Sequence, residues 1–156
     1  MKKALIILPV VGLLLVTLAV AQVSQDISVT AEVPSYYSVV FQYNTVNFGS
    51  VYPGYDIPAP GNQGEYYVTV ETNIGLIVTA SRTAWSPSDI LLLKFASALN
   101  EIPTAPEYEI GTTPITVDAI VPGFYTHYHA YWLDVPMGTS PGTYSTTVTI
   151  TYQPAA

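Results

Sequence analysis

From residue 22 onward, polar and apolar residues alternate with a period of two in stretch after stretch of this chain, and a helical period is nearly absent. The first stretch is among the cleanest. Val23, Gln25, Ile27, Val29, Ala31 and Val33 fall on one face of an extended chain, Ser24, Asp26, Ser28, Thr30 and Glu32 on the other, and Pro34 ends the run. Such a strand spans about 36 Å at roughly 3.3 Å per residue. Short strands are predicted over 36–43 and 46–49, and the Pro- and Gly-rich stretch 52–64 reads as a loop. Residues 66–72 and 76–81 predict a hairpin turned by Asn73-Ile74-Gly75, where Asn and Gly tolerate positive φ. The apolar run 90–95 suits a strand better than a helical turn, although Ser86-Pro87-Ser88-Asp89 would cap a short helix. Residues 115–121 alternate again, and Pro122-Gly123 turn the chain into a long strand over 124–135. A final strand over 143–152 sets Tyr144, Thr146, Val148, Ile150 and Tyr152 against Ser145, Thr147, Thr149 and Thr151. Many short strands at this spacing predict an all-β fold, an antiparallel β-sandwich over 35–156 with a separate N-terminal strand over 22–34.

Ahead of these strands the pattern changes. Lys2 and Lys3 precede an uncharged apolar run over 4–20, and Ala19-Val20-Ala21 fits the small-x-small rule of a signal peptidase. Residues 1–21 therefore read as an export signal cut between Ala21 and Gln22, which predicts a secreted protein with no membrane span after cleavage. An uncleaved anchor is the competing reading, and Pro9 and Gly12 inside the run speak against it. Export without a single cysteine leaves stability to packing, sheet hydrogen bonding and association. Once the signal is gone, Arg82 and Lys94 are the only bases against the chain's 11 acids. Phosphate backbones and anionic lipid need clustered Lys and Arg, so nucleic-acid and membrane-surface partners are excluded as expectations. The 13 tyrosines supply large amphipathic contact area, which suits packing against other protein surfaces.

Candidate chemistry is sparse. His127 and His129 share one face of a strand and, with Asp118 or Asp134 as a third ligand, would make a metal site; the plainer expectation puts both on the solvent face of a Tyr-rich strand. Glu107 and Glu109 share a face as a glycosidase pair would, yet they stand beside prolines in a loop. No serine lies in a Gly-x-Ser-x-Gly elbow. Lys94, inside Leu91-Leu92-Leu93-Lys94-Phe95, would be an isopeptide donor if buried and is expected to point outward. The expectation is no enzyme, no metal and no cofactor.

The first strand carries the functional reading. It is either the first strand of its own sandwich, or it leaves its domain to fill a groove in the next copy, which generates an open head-to-tail homopolymer. Burying Val23, Ile27, Val29, Ala31 and Val33 contributes about 6–10 kcal/mol before entropic costs. An export signal, an alternating strand, then Val46-Asn47-Phe48-Gly49-Ser50-Val51-Tyr52-Pro53-Gly54 and Val68 to Asn73, and a closing Pro141-Gly142-Thr143-Tyr144 strand together resemble the TasA/camelysin-type matrix fibre subunits and the related archaeal bundling pilins. That resemblance spans most of the chain as a pattern of elements. It implies a jelly-roll or Ig-like sandwich and a cell-surface filament of a biofilm matrix, polymerised by donor-strand complementation with 23–33 as donor, and lateral bundling of filaments. The alternative expectation is a monomeric secreted module that binds carbohydrate or a cell-surface protein through Trp85, Trp132 and the tyrosines.

Overall fold

Alternation fixes which side chains can share a core, and here it builds two facing antiparallel sheets. The computed structural model describes residues 28–156. Within them the compact unit runs from Pro34 to Ala156. Its strands are β1 (Tyr37–Phe41), β2 (Asp56–Pro58), β3 (Tyr67–Thr72), β4 (Leu76–Arg82), β5 (Leu92–Leu99), β6 (Tyr108–Ile110), β7 (Ile115–Ile120), β8 (Gly123–Asp134) and β9 (Val148–Pro154). One sheet has the order β1-β3-β8-β5-β6, with β2 continuing β3's place along β8; the other has the order β7-β4-β9. Among the described residues no helix is long and apolar enough to cross a membrane.

The core lies between the sheets. Val68 and Val70 of β3, Leu76, Val78 and Ala80 of β4, Leu93 and Phe95 of β5, and Tyr131 and Leu133 of β8 are buried there at every second position. A second, smaller cluster of Ala96, Ala130 and Trp132 occupies the outer face of β5 and β8.

The expected hairpin over 66–81 does not form. β3 pairs with β1 and β8 while β4 pairs with β7 and β9, so 73–75 is a corner between the sheets. Crossing lets the buried rows of both strands face one core. The corner is held by Thr72, whose hydroxyl donates to the Ile74 carbonyl, and by Asn73, whose amide accepts from the Tyr36 N–H and donates to the Pro34 carbonyl. The expected strand 46–49 is also absent, and the Pro-rich loop 52–64 holds β2 and a 3-10 turn, Pro60–Gln63. Of the run 90–95, residues 92–95 open a strand, as expected, while Ile90 and Leu91 precede it, and the last strand starts later than expected, at Val148.

Arg82 closes the end of β4. Its side chain is buried, and it donates from Nε to the Ile110 carbonyl (2.9 Å) and from Nη1 to the Thr83 carbonyl (3.0 Å) and Asp89 Oδ1 (2.6 Å). The Trp85 N–H and Arg82 together hold the Asp89 carboxyl below the usual carboxylate range. Replacing Arg82 by Leu leaves the Ile110 and Thr83 carbonyls without their donors and is expected to lower the unfolding free energy by about 2–4 kcal/mol. Urea denaturation checks it, and Lys at this position should recover only part, since it lacks the planar fork.

Candidate functional site

β9 is an edge strand of the three-stranded sheet. It pairs with β4 over Val148–Pro154, and among the described residues no strand lies on its other side. Its inward row, Tyr144, Thr146, Val148, Ile150 and Tyr152, is only half-buried, while the row between is exposed. Opposite β9 the other sheet ends in β1, whose chain runs on through 42–53 without joining a ladder. Between that stretch and residues 139–148, which lead into β9, lies an open cleft of about 970 Å³, lined among others by Val46, Phe48, Val51, Leu133, Val135 and Val148. A smaller recess of about 180 Å³ adjoins it at Phe41, Tyr43, Val46, Val148 and Ile150. Val46, Tyr131 and Val148 line both. Trp85 also lines the cleft, and its indole N–H is buried without an acceptor.

The expected donor segment stands as follows. Val23, Gln25 and Ile27, the cleavage pair Ala21 and Gln22, and the rest of 1–21 lie outside the described residues. Val29 and Val33 are 86% and 80% exposed, Ala31 is exposed too, and 28–33 belong to no strand.

Beneath the recess runs a buried polar chain that sequence reasoning misplaced. His127 and His129 were expected on the solvent face, yet they are 0% and 1% exposed and point between the sheets. Position explains it: Tyr131 and Leu133 share their face of β8 and belong to the core. Tyr152 Oη lies 2.7 Å from His127 Nδ1 and 3.1 Å from His129 Nε2. His129 Nδ1 is hydrogen-bonded to the Tyr43 hydroxyl, which bonds the Tyr131 hydroxyl at 2.7 Å. At the other end Asp118 Oδ2 stands 3.0 Å from His127 Nε2, off the N–H axis, so that contact is electrostatic and leaves Nε2 without an aligned hydrogen bond.

Asp118 reaches inward because of a β-bulge. It pairs with buried Val78, whereas Thr79 pairs with Thr116, so Val117 is the extra residue and 117 and 118 both turn to the core. With one hydrogen on each imidazole, a single direction of donation runs through the chain: Tyr131 to Tyr43, Tyr43 to His129 Nδ1, His129 Nε2 to Tyr152, Tyr152 to His127 Nδ1, and His127 Nε2 toward the carboxylate. Burial, and then His127, push His129 well below the usual imidazole range. Burial raises the Tyr43, Tyr131 and Tyr152 hydroxyls. Every nitrogen in this chain faces a hydroxyl or the one carboxylate, and among the described residues no three His, Cys, Asp or Glu side chains are grouped to hold a metal ion.

The remaining candidates separate. Lys94 sits on the outer side of β5 and binds both oxygens of Asp56 at 2.8 Å, with Asp134 at 3.8 Å. The Asp56 hydrogen bond chiefly raises its ammonium above the usual lysine value. Asp134 is therefore remote in role from the histidines. Glu107 and Glu109 are exposed, and Glu109 lies across from Lys94. Trp85 and Trp132 are both buried, which removes the two tryptophans from the stacking platform expected of a carbohydrate module. Asp56→Asn removes Lys94's main partner; because the pair is largely exposed, the expected loss is below about 1 kcal/mol in thermal unfolding.

No protein-family model matches the chain, and none of the curated proteins compared with it matches.

Proposed function

We propose that this chain is the structural subunit of an extracellular filament, a pilus or biofilm matrix fibre, in which residues 22–33 of one copy add a strand to the body of the next. The carrying observation is the edge of β9, which among the described residues pairs on one side only, beside an open cleft whose lining includes the apolar side chains of Val46, Phe48, Val51, Leu133, Val135 and Val148. A free edge presents a row of backbone donors and acceptors, and an apolar cleft next to it leaves side-chain surface in water. An alternating strand answers both: its backbone pairs with β9 while its apolar row enters the cleft. The sequence offers an alternating strand for this, with Val23, Ile27, Val29, Ala31 and Val33 as its apolar row, and its described part, 28–33, belongs to no strand. The resemblance to TasA/camelysin-type fibre subunits and archaeal bundling pilins agrees with this reading, as do the apolar run at 4–20 followed by Ala-x-Ala, which suits export. The partner is then another copy of the same chain, with lateral bundling a further level of assembly.

Deleting Gln22–Val33 tests the proposal. The truncated chain is expected to remain folded, with the thermal transition of the body retained, and to form no filaments under the electron microscope where the chain from Gln22 does. Filaments of ordinary length from the truncated chain would falsify the reading.

A further inference from the structure

The most exposed large apolar side chains of the unit Pro34–Ala156 collect at its two opposite ends. Val121 (65% exposed) and Phe124 (68%) lie at the turn where β8 begins; Met137 (81%), Tyr52 (78%) and Tyr55 (74%) lie where β8 ends. The 12 residues of β8 separate the two groups by about 40 Å at roughly 3.3 Å per residue. Met137 belongs to the second end through its Sδ, which packs on Gly54, and through the Gly54 N–H, which donates to the Val135 carbonyl.

The chain enters the body at the first end and the cleft opens at the second. Pro34 is held at the β3–β4 corner by Asn73, and the neighbouring Thr72 pairs with Gly123 at the start of β8. The rim of the cleft at the other end is formed by Tyr52, Pro53 and 139–143. Val33, the last apolar residue of the expected donor, is bonded directly to Pro34. There is no spacer. If Val33 is seated at the rim of a neighbour's cleft, the body attached to it must come to rest on that rim.

Direction follows from the same facts. β9 runs from the rim toward the corner end, since Arg82 pairs with Val148 and Leu76 with Pro154. A donor with Val33 at the rim and its earlier residues deeper inside runs the opposite way. It is antiparallel to β9, as is every strand pair among the described residues. Residues 22–33 span about 40 Å when extended, which matches the length of the body along β8.

We infer that successive copies stack end to end in one orientation, with Val121 and Phe124 of one copy packed against Tyr52, Tyr55 and Met137 of the copy that receives its N-terminal strand. The inference rests on the strand-addition reading and adds to it a second, body-to-body interface. Patches of different composition on opposite ends make a heterologous contact, which propagates rather than closes. The exposure of the five most exposed large apolar groups of the unit is thereby accounted for.

Because the chain has no cysteine, the contact can be read by cross-linking. Val121→Cys and Met137→Cys are made singly and together, assembled, and treated with a short bismaleimide. The double variant should give a ladder of multimers whose linked peptides join 121 to 137, as should a mixture of the two single variants, at the dimer level. Neither single variant should cross-link alone. Filaments that form but show no 121–137 link, or that link 121 to 121 or 137 to 137, overturn the end-to-end contact and leave strand addition standing. A wild-type chain that makes no filaments at all overturns both. As a second measurement, Phe124→Glu should raise the critical concentration for assembly at least tenfold with the melting of the monomer unchanged. An unchanged critical concentration overturns the inference.

Discussion

A one-to-one mixture of two assembly-dead variants is expected to give a discrete heterodimer and nothing longer. One variant lacks Gln22–Val33 and retains the cleft, so it can only receive a strand. The other carries Val46→Asp and retains its N-terminal segment, so it can only donate one. Val46 lines both the cleft and the recess beside it, half-buried, on the 42–53 stretch that joins no ladder. An aspartate there keeps its hydration in the free body because the cleft is open. It must be desolvated without a partner once an apolar strand fills the site, which costs several kcal/mol. Even about 3 kcal/mol is more than a hundredfold in affinity. The intact donor segment can still enter the wild-type cleft of the truncated chain, and the pair then has neither a free donor nor a usable cleft. Native mass spectrometry should find a two-subunit species, absent from either variant alone. A mixture that stays monomeric, or one that grows filaments, would contradict strand addition at this cleft.

How far the residues themselves announce this arrangement differs from element to element. The alternation of the last strand sets out its inward row correctly, whereas that of 115–121 is broken by the bulge, so that Ile120 is buried and Ala119 and Val121 are exposed, and that of 124–135 leaves open which face is the core. The half-burial of Tyr144, Thr146, Val148, Ile150 and Tyr152 is what a correct inward row looks like when its sheet edge has no cover. The β3–β4 hairpin fails because local turn chemistry at Asn73-Ile74-Gly75 is equally satisfied by a corner. What decides between them is long-range: Asn73 binds the 34–36 segment, and each strand pairs elsewhere. β2 and β6 are three residues each and sit among prolines, too short to alternate visibly.

The histidines were legible as a pair on one face but not as a buried pair. Period-2 reasoning says which residues share a face and is silent on which face is the core. On β8 both faces carry aromatic residues, and the structure buries Tyr131 on one and Trp132 on the other. The clue available was Tyr152, an aromatic with a polar tip on the inward row of the last strand, but only the packing of β9 over β8 shows that its hydroxyl meets two imidazoles. Asp118 was even less accessible, since its inward turn depends on a bulge that no residue in 115–121 marks. The cleft, too, is invisible in sequence, because its walls, 44–53 and 139–148, are far apart in the chain and meet only in the fold.

Acidification should weaken the body well before its carboxylates titrate, and Tyr152→Phe should weaken it at every pH. His129 is held well below the usual imidazole range, first by burial and then by His127. The unfolded chain offers an imidazole with a pKa of about 6.5, so below that pH the unfolded state takes up a proton that the folded state refuses. A group with a lowered folded pKa of this kind contributes full stability above about pH 6.5 and loses it as pH falls. The stability of the body therefore falls continuously as pH is lowered from about 6.5. Asp89, whose carboxyl is held low by the Trp85 N–H and Arg82, adds its own loss only near and below about pH 4, outside that window. The groups facing His129 are His127 and Tyr131 of the same strand, Tyr152 of β9 and Tyr43 of the 42–53 stretch, with Asp118 of β7 beyond His127. The tyrosine hydroxyls stay protonated throughout, because burial raises them. Urea denaturation of the chain without its N-terminal strand, between pH 8 and 4.5, reads the slope free of assembly, and His129→Gln should flatten it. Tyr152→Phe removes the one hydroxyl that serves both imidazoles, leaving His127 Nδ1 and His129 Nε2 buried without a partner. At about 1–3 kcal/mol for each stranded nitrogen, the expected loss is about 2–5 kcal/mol at pH 7. A loss below about 1 kcal/mol would mean that the two histidines are satisfied in some other way and that the chain from Tyr131 to Asp118 is not a connected unit. A stability flat from pH 7 to 5 would mean that His129 is free to charge inside the sandwich.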